Sequence, residues 1–175
     1  MSLIRSIVLI ACVLLSCSIY SQAGNVTLTL PIVTLMDIEP SGNITLNFTA
    51  PTEAGNALVN PTPNTTKWIN YSSAIASGGL TRRITASVNT VIAGLNITLQ
   101  AAAASGAGGG TLGTPSAQVT LTTTPVTIIS GIGGAYTGNG TSNGHRLTIS
   151  LVPSSYALLA NRTNTSILVT YTITE

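Results

Sequence analysis

The chain has 175 residues, enough for one domain with a real core, and only 6% of them are charged, against roughly a quarter in an ordinary globular protein. Six basic and four acidic residues, scattered along the chain, exclude the dense basic footprint of a nucleic-acid binder. A single histidine and two cysteines near the N-terminus leave no ligand set for a zinc site.

Ser and Thr supply the polarity instead of charge. Thr, Val and Ile carry a branched β-carbon that suits a pleated, half-buried surface. No stretch has the 3.6-residue period of a long helix, so the chain reads as all-β.

The N-terminus reads as a processing signal. Arg5 is a short positive region, residues 7–15 are apolar, and Ser21-Gln-Ala23 offers small residues for cleavage, giving a signal peptide over 1–23 and a mature start at Gly24. The apolar run is too short to span a bilayer, so no transmembrane helix is expected after its removal. A rival reading takes Leu14-Leu-Ser-Cys17 as a lipobox with a lipidated Cys17. Ordinary cleavage discards Cys12 and Cys17, so the mature chain has no disulfide. Either way the protein is expected to be secreted or held at the cell surface.

The predicted elements then follow in order. Residues 26–30 alternate, with Val26, Leu28 and Leu30 on one side, and form an N-terminal arm over 24–31. Pro31 interrupts it, as proline does at an edge or bulge. Residues 32–38 are apolar on both parities, which predicts a strand covered on both sides or one whose outer face meets another subunit. A turn at 40–43 leads to an alternating strand with Ile44, Leu46 and Phe48 inward. Residues 49–66 read as a long loop, and 67–71 as a short strand in which Trp68 is expected in the core.

Residues 82–88 and 95–101 alternate cleanly, and the small-residue stretch 102–115 reads as a flexible loop. Strands are predicted at 118–122 and 125–129, the latter ended by the glycines at 131–134. A glycine-rich connection over 137–144 enters a strand at 146–152, and 156–160 allows one helical turn. The chain closes on Ile167, Val169, Tyr171 and Ile173 facing one way, with Thr170, Thr172 and Thr174 facing the other. About eight or nine strands with turn-rich connections predict an antiparallel, immunoglobulin-like β-sandwich over 24–175.

Patterns that would carry chemistry are few. Gly108 to Gly113 match G-x-G-x-x-G, but a strand follows instead of a helix, and no acid lies at dinucleotide spacing. Asp37 and Glu39 share a strand face near Glu53, without the spacing of a calcium loop. His145 lies in a Gly/Asn segment without a nearby acid and reads as a surface loop residue. Arg82 and Arg83 open a strand and read as solvated edge charges. Sequons at Asn25, Asn43, Asn47, Asn64, Asn70, Asn96, Asn139, Asn161 and Asn164 follow from Asn in Thr-rich strands, where i and i+2 share a face, or mark glycosylation. No catalytic, cofactor or metal constellation emerges, so a non-enzymatic protein is expected.

With its signal segment, alternating arm, Thr/Gly-rich strands and alternating C-terminal strand, the chain resembles bacterial secreted β-sandwich proteins of the fimbrial-subunit and spore-coat-U type. It departs from them in having no cysteine after residue 17 and in ending Thr172-Ile-Thr-Glu175, without a penultimate tyrosine. The resemblance implies a structural subunit of a surface filament, fimbria or envelope layer. Its partners would be further copies or related subunits, joined by strand addition between Val26, Leu28 and Leu30 and the edge formed by Ile167, Val169, Tyr171 and Ile173. The alternative is an adhesin or carbohydrate-binding module stacking a glycan on Trp68, Tyr136 or Tyr156.

Overall fold

The computed structural model describes residues 24–175; the signal-peptide reading of 1–23, with Cys12 and Cys17, lies outside the described residues. Pro31–Glu175 forms one compact unit. It holds nine strands and one short 3-10 turn, Tyr156–Leu158. The strands are β1 Val33–Glu39, β2 Trp68–Ala74, β3 Arg82–Val88, β4 Leu95–Ala101, β5 Gly109–Pro115, β6 Val119–Thr120, β7 Val126–Tyr136, β8 His145–Pro153 and β9 Val169–Thr174. All their pairings are antiparallel.

Hydrogen-bonded neighbours follow the path β6-β4-β8-β2-β7-β3-β9, with β1 added to β2 and β5 added to β7. Two strands change partners along their length, and this folds the path into a sandwich. β2 gives one edge to β1 and divides the other, pairing Trp68 and Ile69 with β8 and Ser72 and Ser73 with β7. β7 gives one edge to β5 and divides the other between β3 and β2. β4 and β7, three steps apart on the path, thereby meet across the core.

Apart from β7, where the adjacent Ile128 and Ile129 are both buried, the core is the inward half of each alternation, with Ile69, Ile84, Leu99 and Leu147 fully buried beside Ile132. Branched aliphatic side chains fill it because a two-residue period sends every second side chain to the same layer. β9 conforms: Val169, Tyr171 and Ile173 pack on the core while Thr170, Thr172 and Thr174 face water.

Glycine is where sequence and structure part. Residues 102–115 are not simply a loop, because β5 lies within them, and β7 runs through the glycines at 131–134 instead of ending there. Gly110 has φ +87°, and a Cβ there would lie 2.2 Å from the carbonyl oxygen of Gly134. Two backbones this close exclude any side chain, so the composition that reads as loop is what a tight β5–β7 contact requires. At Gly131, φ +71°, β7 takes three residue steps from Ile129 to Ile132 while β3 takes two from Ile84 to Arg82. That bulge adds the local bend at which β7 passes from β3 to β2.

The arm residues 26–30 carry no strand, and Val26, Leu28 and Leu30 are exposed. Two other expectations are corrected. β1 is not covered on both sides: Met36 and Ile38 pack inward, but Ile32 and Leu35 are each 66% exposed. Residues 44–48 keep the expected alternation, with Ile44, Leu46 and Phe48 half-buried and Thr45 and Asn47 exposed, yet they form no strand. Side-chain periodicity reports which face meets the core, whereas a strand also needs a neighbouring main chain, and none is paired there.

Candidate functional site

β9 is the last strand on the ladder path. Arg83 to Val88 of β3 pair with Thr174 to Val169, and among the described residues β9 has no partner on its other edge. An unpaired edge offers a row of N–H and C=O groups to another strand. The strand starts two residues later than its alternation, though Ile167 also packs on the core. Leu168 is tied in by its N–H to Asn89 Oδ1 at 2.9 Å, and its carbonyl accepts from the Asn89 N–H. The four candidate edge residues Ile167, Val169, Tyr171 and Ile173 thus all point inward. The ladder groups between them are what β9 presents. Burial pushes the Tyr171 phenol up to about 12.

A second length of main chain is similarly free. Among the described residues, 43–48 form no main-chain hydrogen bond; the flanking Thr49–Val59 bridge is the first. The turn before it is pinned by Lys67, a buried lysine whose Nζ donates to Pro40 O at 2.5 Å and Gly42 O at 2.7 Å. An ammonium out of water needs such acceptors.

The candidate stacking residues separate into two groups. Trp68 is half-buried on the outward face of β2, where it pairs with Glu39 on one side and Arg146 on the other; it belongs neither to the core nor to the side chains packed on it. That corrects its expected core position. Tyr136 is 57% exposed and pairs with Ser72, so it lies on the same outward face. Its row also holds Leu35, and the next row holds Asp37 and Asn70. Tyr156 sits apart on the 3-10 turn, where its hydroxyl accepts from the Leu58 N–H at 3.0 Å and ties down the long loop.

His145 is not a surface residue. It opens β8 fully buried, stacked on Tyr71 with ring centroids 5.8 Å apart. Nδ1 stands 2.8 Å from Ala102 O, and Nε2 3.2 Å from Leu112 O. Nε2 lies 3.1 Å from the Tyr71 hydroxyl, which itself donates to Leu112 O. Burial raises the Tyr71 phenol well above its usual range. This cluster ties β2, β5 and β8 together.

Arg82 is likewise not a solvated edge charge; Arg83 is the exposed one. Arg82 is 2% exposed, with Nη1 donating to Val33 O at 2.5 Å and Ser73 Oγ at 2.8 Å, and Nη2 3.7 Å from Glu175 Oε1. No sequence pattern marks these buried polar groups, because β1, β2 and the C-terminus meet only through tertiary pairing. Among the described residues no three His, Cys, Asp or Glu side chains converge on a metal position. No helix there is long and apolar enough to cross a membrane. Of the sequons, Asn70 is buried and so closed to a glycan on the folded chain.

Comparison of the chain with protein-family models, with curated proteins and with solved structures finds no match.

Proposed function

We propose that this is an exported, non-enzymatic subunit of a surface filament or envelope layer, assembling through β-strand addition between copies. The observation that carries the reading is a pair of complementary features on one chain. β9 has an open ladder edge, and residues 26–30 present an alternating apolar arm, with Val26 93%, Leu28 83% and Leu30 82% exposed. Three largely exposed aliphatic side chains at two-residue spacing are what one face of a docked strand requires. Residues 43–48, also alternating and unpaired, offer a second acceptor length. With charge confined to 6% of residues, self-repulsion between packed copies is weak.

Magnitudes set the character of the contact. Burying three such side chains is worth roughly 5–9 kcal/mol. About five ladder bonds add on the order of 3–7 kcal/mol. Association entropy opposes this with about 4–15 kcal/mol. Gain and cost are of the same order, so one arm's contact depends on concentration, and stability comes from repetition along an assembly.

The test compares the purified protein with a variant lacking residues 24–30 and with Leu28→Asp, by size-exclusion chromatography with light scattering and by negative-stain electron microscopy. Concentration-dependent oligomers or filaments are expected for the unaltered chain. Both variants should give monomers with unchanged circular dichroism. Monomers throughout for the unaltered chain, or oligomers indifferent to the arm, would sink the reading.

A further inference from the structure

The outward face of β1, β2 and β7 holds a cleft that strand addition does not use. It measures about 420 Å³ and is lined by Leu35, Asp37, Asn70, Ser72, Tyr136 and Asn139 among others. Ladder register arranges its wall in rows: Leu35, Ser72 and Tyr136, then Asp37 and Asn70. The next outward row is Glu39, Trp68 and Arg146. Trp68 stands four residues along β2 from Ser72, about 13 Å at the rise of a strand. The Tyr136 ring is supported by β5, where a Cβ on Gly109 would touch it at 3.3 Å. An exposed tyrosine and a half-exposed tryptophan thus mark the two ends of a polar strip on a rigid sheet.

The floor of the cleft has an unmet hydrogen-bonding need. Asn70 is 5% exposed and donates through Nδ2 to Asn143 O at 2.7 Å, while its Oδ1 has no partner among the described residues. Buried amide oxygens are nearly always paired.

From this arrangement we infer that the outward strip binds a neutral oligosaccharide, seated in the cleft against Tyr136 and running beyond its lining along β2 to Trp68. A pyranose ring offers an apolar C–H face to an aromatic side chain, and hydroxyls that both donate and accept. Asn70 Oδ1 lies beneath the surface of the cleft, so the sugar hydroxyls meet the Asp37 carboxylate and the Ser72 and Asn139 side chains, which line the polar wall. The distance between the two aromatics calls for several linked sugars.

Other ligands fit less well. A peptide strand needs an open edge, and both edges of β2 are occupied. A polyanion would meet Asp37 and Glu39 with only Arg146 in the facing row. An apolar ligand would strip water from the exposed Asp37 carboxylate.

Trp68 is the only tryptophan, so its fluorescence reports directly on this face. The purified protein is titrated with cellohexaose, mannohexaose and chitohexaose while Trp68 emission is followed. At least one probe is expected to give a saturable change. Its dissociation constant should rise about tenfold or more in Tyr136→Ala, stay within about threefold in Tyr136→Phe, and remain unaltered in Tyr156→Ala. Should Tyr136→Ala disturb the sheet by circular dichroism, Asp37→Ala at an exposed position must show the weakening instead. No saturable change with any of the three, or equal affinity in the folded Tyr136→Ala or Asp37→Ala variant, overturns the inference. Oligomeric state is not the readout, so this result and the assembly test fail independently.

Discussion

Arg82 and Lys67 are cations held inside a protein that has almost none to spare, and each is satisfied by main-chain carbonyls before any carboxylate. Arg82 reaches Glu175 only at 3.7 Å, and that partner is 57% exposed, so the ion pair itself adds little. Its guanidinium chiefly satisfies Val33 O and Ser73 Oγ, which join β1 to β2. Arg82→Met is therefore expected to cost about 2–4 kcal/mol in urea unfolding, because it orphans buried acceptors, whereas Glu175→Gln should cost under about 1 kcal/mol. Tyr171 gives a signature in pH. Its phenol titrates at about 12 in the fold against an ordinary value of about 10, because burial disfavours the phenolate. Below pH 10 neither state ionises. Between pH 10 and 12 the unfolded chain loses the proton first, so stability falls as pH rises. Urea midpoints measured from pH 9 to 12 should decline, and Tyr171→Phe should lessen the decline over that window, leaving the share of Tyr71, whose phenol burial also raises. Neither effect was legible in the sequence. Arg82 reads as an edge charge and His145 as a loop residue because what surrounds them comes from strands far away in the chain.

At the scale of strands, glycines decide where the ladders run. Gly110 and Gly131 both have positive φ, but only Gly110 faces another backbone, with Gly134 O at 2.2 Å from its would-be Cβ; nothing lies within 4 Å at Gly131. Gly131→Ala is expected to cost about 1 kcal/mol from backbone strain alone, and Gly110→Ala roughly 2–4 kcal/mol, since β5 must also move off β7. Thermal unfolding of the two variants checks the order, and equal losses would contradict it. The alternating strands β3, β4, β8 and β9 were legible because period two survives any tertiary context. β5 and the second half of β7 were not, because Gly-rich composition looks the same in a loop and in a tight backbone contact. The converse holds at 44–48, where alternation was real and the ladder absent. Trp68 shows the same limit on one residue: parity told that it lies opposite Ile69, but not which of them faced the core.

At the scale of the fold, the nine antiparallel strands among the described residues bury a core of branched aliphatic residues and leave β9 with one unpaired edge there. The outward cleft lies on a different face and uses no ladder group, so adhesion to a glycan and assembly into a filament would be compatible in one subunit. Assembly is the central claim, and it can be read by cross-linking, since residues 24–175 contain no cysteine to interfere. A strand lying beside β9 with Val26, Leu28 and Leu30 inward carries Thr27 and Thr29 outward, next to Thr170, Thr172 or Thr174. Protein purified after export as Thr27→Cys is mixed with Thr170→Cys, Thr172→Cys or Thr174→Cys protein, oxidised mildly and run on a non-reducing gel. The expected result is a covalent heterodimer for one of the three positions, strongest at a single register and lost when Leu28→Asp is added. Equal, weak cross-linking at all three, or none at concentrations where the protein is assembled, would contradict strand addition at β9.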